Sequence, residues 1–386
     1  MKKVRLGIIG MGNMGRYHAD YLLAGKVGRA ELVAVGSTSP GKLASYADRG
    51  VRVFGDGETM IRSGAIDALV IATPHYQHTS LGIAALEAGL HIMVEKPISA
   101  HKADAERLIA VHRKRPHQVF GAMFQLRNEP RYIRIRKLIQ SGELGEIVRI
   151  NWIITDWYRT EAYYASGGWR ATWRGEGGGV LLNQCLHQLD ALHWMCGQPA
   201  RLRGFCQLGR YHNIEVEDNV TIYLEWPNLA TGVFVSSTGE TPGSNRLEVA
   251  GTRGKVVLEN NKLMFTRNEA DMIEFSHNAK TGFGKPDVWN IDIPIDNATG
   301  AHATLMQNFV DAILDGAPLQ VPGEEGLYSV ELANAMLYSS LTDRTLELPL
   351  DGAEFEGKLN ELIAGSKLQK KVVEIAGEDF TRSFNK

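Results

Sequence analysis

Two stretches of the chain carry residue types that can handle a proton at a carbon-bound hydroxyl. In Val94-Glu95-Lys96-Pro97 a lysine follows an apolar run. Pro97 restricts that lysine to an extended backbone, which holds its side chain in one direction. An ammonium group so placed polarises a hydroxyl or carbonyl oxygen. The competing reading is a solvated surface lysine. The second stretch runs Gly177-Gly178-Gly179-Val180-Leu181-Leu182-Asn183-Gln184-Cys185-Leu186-His187-Gln188-Leu189-Asp190. A helix here would put Asn183, His187 and Asp190 on one face. The histidine would take and return a proton near neutral pH, and the amide one turn away would hold a hydroxyl. The competing reading is a core histidine satisfied by Asp190. A metal set of His187, Asp190 and His193 is disfavoured, because histidines six apart on a helix face different ways.

A third stretch has the composition of a binding surface. Asp156-Trp157-Tyr158-Arg159, Tyr163-Tyr164 and Gly167-Gly168-Trp169-Arg170-Ala171-Thr172-Trp173-Arg174 interleave aromatic rings with arginines. Rings pack on the C–H faces of sugars, and arginines fix hydroxyls or carboxylates. Trp157, Tyr158, Arg159, Trp169, Arg170 and Trp173, with Arg127 upstream, are the expected substrate contacts. A subunit interface rich in cation–π pairs would read similarly.

Gly10-Met11-Gly12-Asn13-Met14-Gly15 follows an apolar run and opens a helical pattern. In G-x-G-x-x-G the first glycine makes the turn and the second admits a pyrophosphate. The third packs helix on strand, and the helix N-terminus attracts the anion. A dinucleotide cofactor is expected there. The next strand ends Val35-Gly36-Ser37-Thr38-Ser39-Pro40-Gly41-Lys42, without the carboxylate that would hold the 2′-hydroxyl of NAD. Ser37, Thr38 and Lys42 tilt the reading mildly toward NADP, with a plain turn as the alternative.

These groups need elements to hold them. Apolar runs at Val4–Ile9, Ala30–Gly36, Ala68–Ala72 and His91–Val94, separated by helical patterns, predict a parallel sheet covered on both faces. Beyond Gln125 the pattern changes. A basic helix is expected over Pro130–Ser141, a long strand over Ile147–Tyr158 and a helix over Val180–Met195. Closely spaced strands at 220–226, 232–237, 246–250, 255–259 and 262–266 predict an open, mostly antiparallel sheet. Helices are expected over 302–315 and 324–340. The expected division is a doubly wound Rossmann domain at 1–125 and an α+β domain at 126–386 for substrate binding and oligomerisation. A charged, partly helical tail begins near 351.

The chain has 386 residues, 44% apolar and 22% charged, which fits two folded domains and argues against disorder. Lys plus Arg is 42 and Asp plus Glu is 44, a net charge of −2. Such a chain has no general field for nucleic acid or an anionic membrane. Three cysteines without Cys-x-x-Cys spacing argue against a disulfide framework or structural zinc. No apolar stretch of about 18 residues occurs, so no membrane span is expected, and the cytoplasm is the expected location.

Taken together, the motifs resemble the Gfo/Idh/MocA family of NAD(P)-dependent oxidoreductases. The matching positions are Gly10 to Gly15, Ala72-Thr73-Pro74 with His78, Glu95-Lys96-Pro97 and Gly177 to Asp190. They continue through Glu217-Asp218-Asn219 and Gly251-Thr252-Arg253-Gly254. The resemblance implies that Lys96 is the catalytic lysine and His187 the proton relay. It implies that Thr73, Pro74, His78 and Glu95 line the cofactor. One departure stands out: many relatives carry Asp where this chain has Asn183, and an amide cannot act as a base. The implied activity is hydride transfer between a sugar, glycoside or cyclitol carbon and NAD or NADP, in a homodimer or homotetramer formed through the open sheet. The alternative is a glycosidase that oxidises, eliminates and reduces again with the same cofactor.

Overall fold

The structure is a computed structural model that describes residues 2–295 and 302–373. Its first sheet has six strands: β1 (Val4–Ile9), β2 (Ala30–Gly36), β3 (Arg52–Phe54), β4 (Ala68–Ile71), β5 (His91–Val94) and β6 (Phe120–Ala122). They run in the order β3-β2-β1-β4-β5-β6, all parallel. Every residue of β4 is buried, because helices cover both faces, and so the strand reads as an unbroken apolar run. The strand order reverses between β1 and β4. That is where a crevice opens at the carboxyl ends.

The second sheet has nine strands, in the order β14-β13-β12-β11-β7-β10-β9-β8-β15. They are β7 (Ile147–Ile154), β8 (Arg201–Leu208), β9 (Glu217–Glu225), β10 (Thr231–Ser237), β11 (Asn245–Gly251), β12 (Gly254–Glu259), β13 (Lys262–Asn268), β14 (Val288–Ile293) and β15 (Leu346–Glu347). Only β7 and β10 pair in parallel; every other neighbour is antiparallel. Burial alternates along β9, so one face packs on helices and the other is open. The packed face lies so close to helix Gly326–Leu341 that a Cβ on Gly204 would sit 2.2 Å from the Met336 carbonyl oxygen.

Two expected elements are shorter than the sequence predicts. The strand from Ile147 ends at Ile154, not Tyr158. There the chain peels off, with the Thr155 amide on Ser244 O at 2.7 Å and the Arg159 amide on Thr238 O at 2.8 Å. The helix expected from Val180 begins at Leu186. The stretch ahead of it is pinned to β9 as a turn: Val180 N donates to Glu217 O at 2.9 Å, and Gly179 N and Leu181 N donate to Glu217 Oε1 at 2.8 and 3.1 Å. Asn183 therefore lies on a turn ahead of the helix, and it does not share a helix face with His187.

Helix His302–Asp315 returns to the first sheet, where Arg29 donates to Asp315 at 3.0 Å and to Asp311 at 2.7 Å. Past residue 351 the chain forms helix Gly352–Gly365, and 374–386 lie outside the described residues. All three cysteines are free. Among the described residues no helix is long and apolar enough to cross a membrane.

Candidate active site

The glycine motif sits in the crevice at the end of β1. Gly10 has φ +96°, and a Cβ there would lie 2.4 Å from Ala72 O. A Cβ on Gly15 would lie 2.1 Å from Gly10 O. Over Gly12 there is open space, and no side chain caps helix Asn13–Leu23, which begins beside it with Asn13 and Met14. A free helix N-terminus behind an open cradle is what a pyrophosphate needs. At the edge of β4, Thr73 Oγ1 is buried without a hydrogen-bond partner beside Pro74, a donor left for a ligand. At the end of β2, Ser37 is buried with its Oγ accepting from Ser39 N at 3.1 Å, while Thr38 and Lys42 are exposed. These residues fit a dinucleotide.

Behind that edge lies a saturated polar frame. Glu95 Oε1 meets His18 Nε2 at 2.6 Å, and His18 Nδ1 meets Tyr21 OH at 2.6 Å. Burial alone would raise Glu95, but the His18 contact holds it down at about 2. His78 spans Pro97 O at 2.6 Å and Thr73 O at 2.7 Å, which ties the loop after β4 to the loop after β5. Burial lowers His78 below its ordinary value against the pull of those two carbonyls. Glu95 and His78, expected to line the cofactor, are both buried and fix the loops after β4 and β5.

Lys96 crosses to the second part of the chain. Its Nζ donates to Asn183 O at 2.9 Å and to Asn183 Oδ1 at 3.1 Å. Asn183 Nδ2 in turn donates to Glu176 Oε1. That bond fixes the amide so that its carbonyl oxygen faces the lysine. Glu176 was not singled out in the sequence, where it reads as part of a glycine-rich turn. It is buried, and its other oxygen accepts from Ala171 N at 2.5 Å. Burial raises its carboxyl above the ordinary value, opposed by Arg170, the Ala171 amide and Lys96. Burial also lowers Lys96, which Glu95 and Glu176 partly offset.

His187 is buried with Nδ1 unpartnered. Asp190 does not satisfy it, because both Asp190 oxygens go to Arg127, at 2.8 and 2.6 Å. Burial, and then Lys96, hold His187 well below its ordinary 6.5, so the ring is kept neutral. His193 stacks on Tyr328 with centroids 4.0 Å apart, away from any shared ligand set. Arg127, expected at the substrate, is itself buried and pairs with the buried Asp190 and the partly exposed Glu325.

The aromatic segment divides. Trp173 is buried in the core, and its carbonyl accepts from Tyr76 OH at 2.7 Å. Trp169 meets His75 edge-on at 5.9 Å. Arg159 lies 5.3 Å over Trp157 and 5.1 Å over Tyr163; Arg170 lies 4.7 Å over both Tyr163 and Trp169. Tyr158 is exposed.

Residues 4–122 match the model of the oxidoreductase family with the NAD-binding Rossmann fold, and residues 132–257 match the GFO/IDH/MocA C-terminal domain. An inositol 2-dehydrogenase of Corynebacterium glutamicum is 29% identical over 200 residues, 51% of this chain and 55% of that protein. The match thus spans about half of that relative. An inositol 2-dehydrogenase of Rhizobium meliloti is 26% identical over 360 residues, covering 89% of this chain and 99% of the relative. Among solved structures, the WlbA dehydrogenase of Chromobacterium violaceum in complex with NADH and UDP-GlcNAcA superposes with a TM-score of 0.78. Its identity is 27%, over 91% of this chain and 97% of the other.

Proposed function

The chain belongs to the Gfo/Idh/MocA oxidoreductase family, and from that premise we propose that it is an NAD(P)-dependent dehydrogenase acting on a CH–OH carbon of a sugar or cyclitol. The observation that carries this reading is the Lys96–Asn183–Glu176 chain beside a neutral, unpartnered His187. The bound nicotinamide supplies the hydride acceptor or donor. Gly10, Gly12, Asn13, Met14 and Gly15 would hold the pyrophosphate of the cofactor, and Thr73 and Pro74 would border it.

Lys96 donates to the reacting oxygen and stabilises the alkoxide as it forms. His187 accepts the hydroxyl proton through a ring nitrogen. Asn183 accepts from Nζ and aims it, and Glu176 orients Asn183. In this reading Glu176 supplies the negative charge near Lys96 that an aspartate supplies at position 183 in many relatives. The relatives reported above are dehydrogenases, which favours net hydride transfer over redox-neutral glycoside cleavage.

At the ribose end, the exposed Thr38 and Lys42 and the absence of a carboxylate favour acceptance of NADP beside NAD. We infer a substrate division at 126–386, after a cofactor domain at 1–125. The open face of the second sheet exposes Ile153, Phe205 and Tyr223, which fits contact with a second copy of the chain.

Absorbance at 340 nm tests the reading, with NAD and NADP each offered inositols, free sugars, glycosides and uronates. A rise with at least one pair is expected. Silence with every pair, alongside cofactor-dependent cleavage of a nitrophenyl glycoside, would overturn it in favour of the glycosidase.

A further inference from the structure

The arginines of this molecule fall into two kinds. Arg127 is buried and matched to Asp190 and Glu325. Arg159 and Arg170 have no carboxylate within ion-pair distance among the described residues, although each is half-buried. They are held in place by other means. Both lie against the Tyr163 ring, at 5.1 and 4.7 Å, with Trp157 and Trp169 as further shelves at 5.3 and 4.7 Å. Arg170 Nη1 donates to Tyr163 OH at 3.0 Å, and Gln184 Nε2 donates to the same oxygen at 3.2 Å. Gln184 adjoins Asn183, the partner of Lys96. One phenol oxygen therefore ties the guanidinium to the turn that carries the reacting end of the site. The Arg159 backbone is pinned too, by Thr238 O at 2.8 Å and by His212 Nε2 at 2.9 Å on its carbonyl.

Positive groups gather here. Both arginines act electrostatically on Lys96, in the direction that disfavours its charged form. Lys370 adds a third cation, with Nζ on Arg170 O. Against them stand the buried Glu176 and, near Lys370, Glu215 and Glu161. A planar guanidinium stacked on a ring keeps its edge N–H groups free for a forked contact to an oxyanion. A half-buried cation with no described carboxylate at ion-pair distance, repelling the catalytic lysine, is completed by a ligand that brings the charge.

We propose that the substrate carries an anionic group, a carboxylate or a phosphate on the sugar or cyclitol, and that Arg159 and Arg170 hold it. This rests on the dehydrogenase reading of the same cleft for the identity of the reacting end.

The test pairs anionic ligands with neutral partners: glucuronate and galacturonate with glucose and galactose, and glucose 6-phosphate and inositol phosphate with glucose and myo-inositol. Affinity for the NADH-loaded and NADPH-loaded protein is read by titration calorimetry, and turnover by absorbance at 340 nm. At least one anionic ligand should bind tenfold or more tightly than its partner. That preference should collapse toward unity in Arg159→Met/Arg170→Met and return in part in Arg170→Lys. Cofactor affinity within twofold of wild type shows that the variants are folded. The uronate and phosphate arms tell which anion fits. No preference for any anionic member, or a preference that survives the double variant, would overturn the proposal. Neutral ligands turned over as well as anionic ones would overturn it and leave the dehydrogenase intact. Arginine-dependent anion binding without any change at 340 nm would support the subsite and count against the dehydrogenase.

Discussion

Lys96 stands between two regions that treat their polar groups in opposite ways. Behind it, Glu95, His18 and His78 are fully engaged: both His18 nitrogens, both His78 nitrogens and Glu95 all have partners within 3.2 Å. In front of it, among the described residues, His187 Nδ1 is buried without a partner, and Arg159 and Arg170 meet no carboxylate at ion-pair distance. An unsatisfied buried polar group costs about 1–3 kcal/mol. A fold keeps such groups where a ligand completes them. The engaged region sets the position of the lysine, and in the proposed reading the open region is where substrate and cofactor meet it.

The comparison breaks most visibly at His187. His187→Asn should lower kcat by about 10²- to 10³-fold, the range of a lost general base, with cofactor affinity unchanged in fluorescence titration. The wild-type pH profile sharpens the same point. His187 is held below 6.5, so falling pH should not cost activity until well under that value. Lys96 is lowered from 10.5, so rising pH should remove its charge, and activity, earlier than for an ordinary lysine. A profile with its acid limb centred at 6.5 would remove His187 from the role of a buried base.

The engaged region should fail in stability instead. His18→Leu leaves a buried carboxylate without its partner and should cost about 3 kcal/mol in denaturant unfolding. Glu95 is lowered from 4.5 to about 2, so this difference should be full above pH 4.5 and vanish as pH falls through about 2. A variant as stable as wild type at pH 7 would mean the pair is not structural. A smaller effect is expected at the border. Glu176→Gln should lower kcat about tenfold, some 1.4 kcal/mol, and move the alkaline limb further down, because Lys96 loses a neighbouring negative charge. A change in KM alone would mark Glu176 as a loop anchor. The smallest effect is at the ribose end, where Lys42→Ala should raise KM for NADP by a few-fold and leave KM for NAD unchanged.

The engaged region was the more legible in the sequence. Strands β1, β2 and β5 carry the bounds read from their apolar runs, and the glycine motif lies between strand and helix as its spacing requires. Strands β3 and β6, three residues each, are too short for any periodicity. The open region was less legible for a physical reason. Its geometry is set by partners distant in sequence: Glu217 holds the turn at Gly179–Leu181 and delays the helix, and Asp190 turns to Arg127 across 63 positions. Glu176 sits among glycines that read as punctuation, and only the folded turn brings it onto Asn183. Trp173 matched its neighbours in type and went to the core.

The central claim is that Lys96 is the group that stabilises charge on the reacting oxygen and is not a structural lysine. The direct measurement is Lys96→Ala, assayed at 340 nm on the best substrate, with cofactor affinity measured in parallel. The account predicts a loss of turnover of at least about 10²- to 10³-fold, with cofactor affinity within a few-fold of wild type. Turnover near the wild-type rate would contradict it.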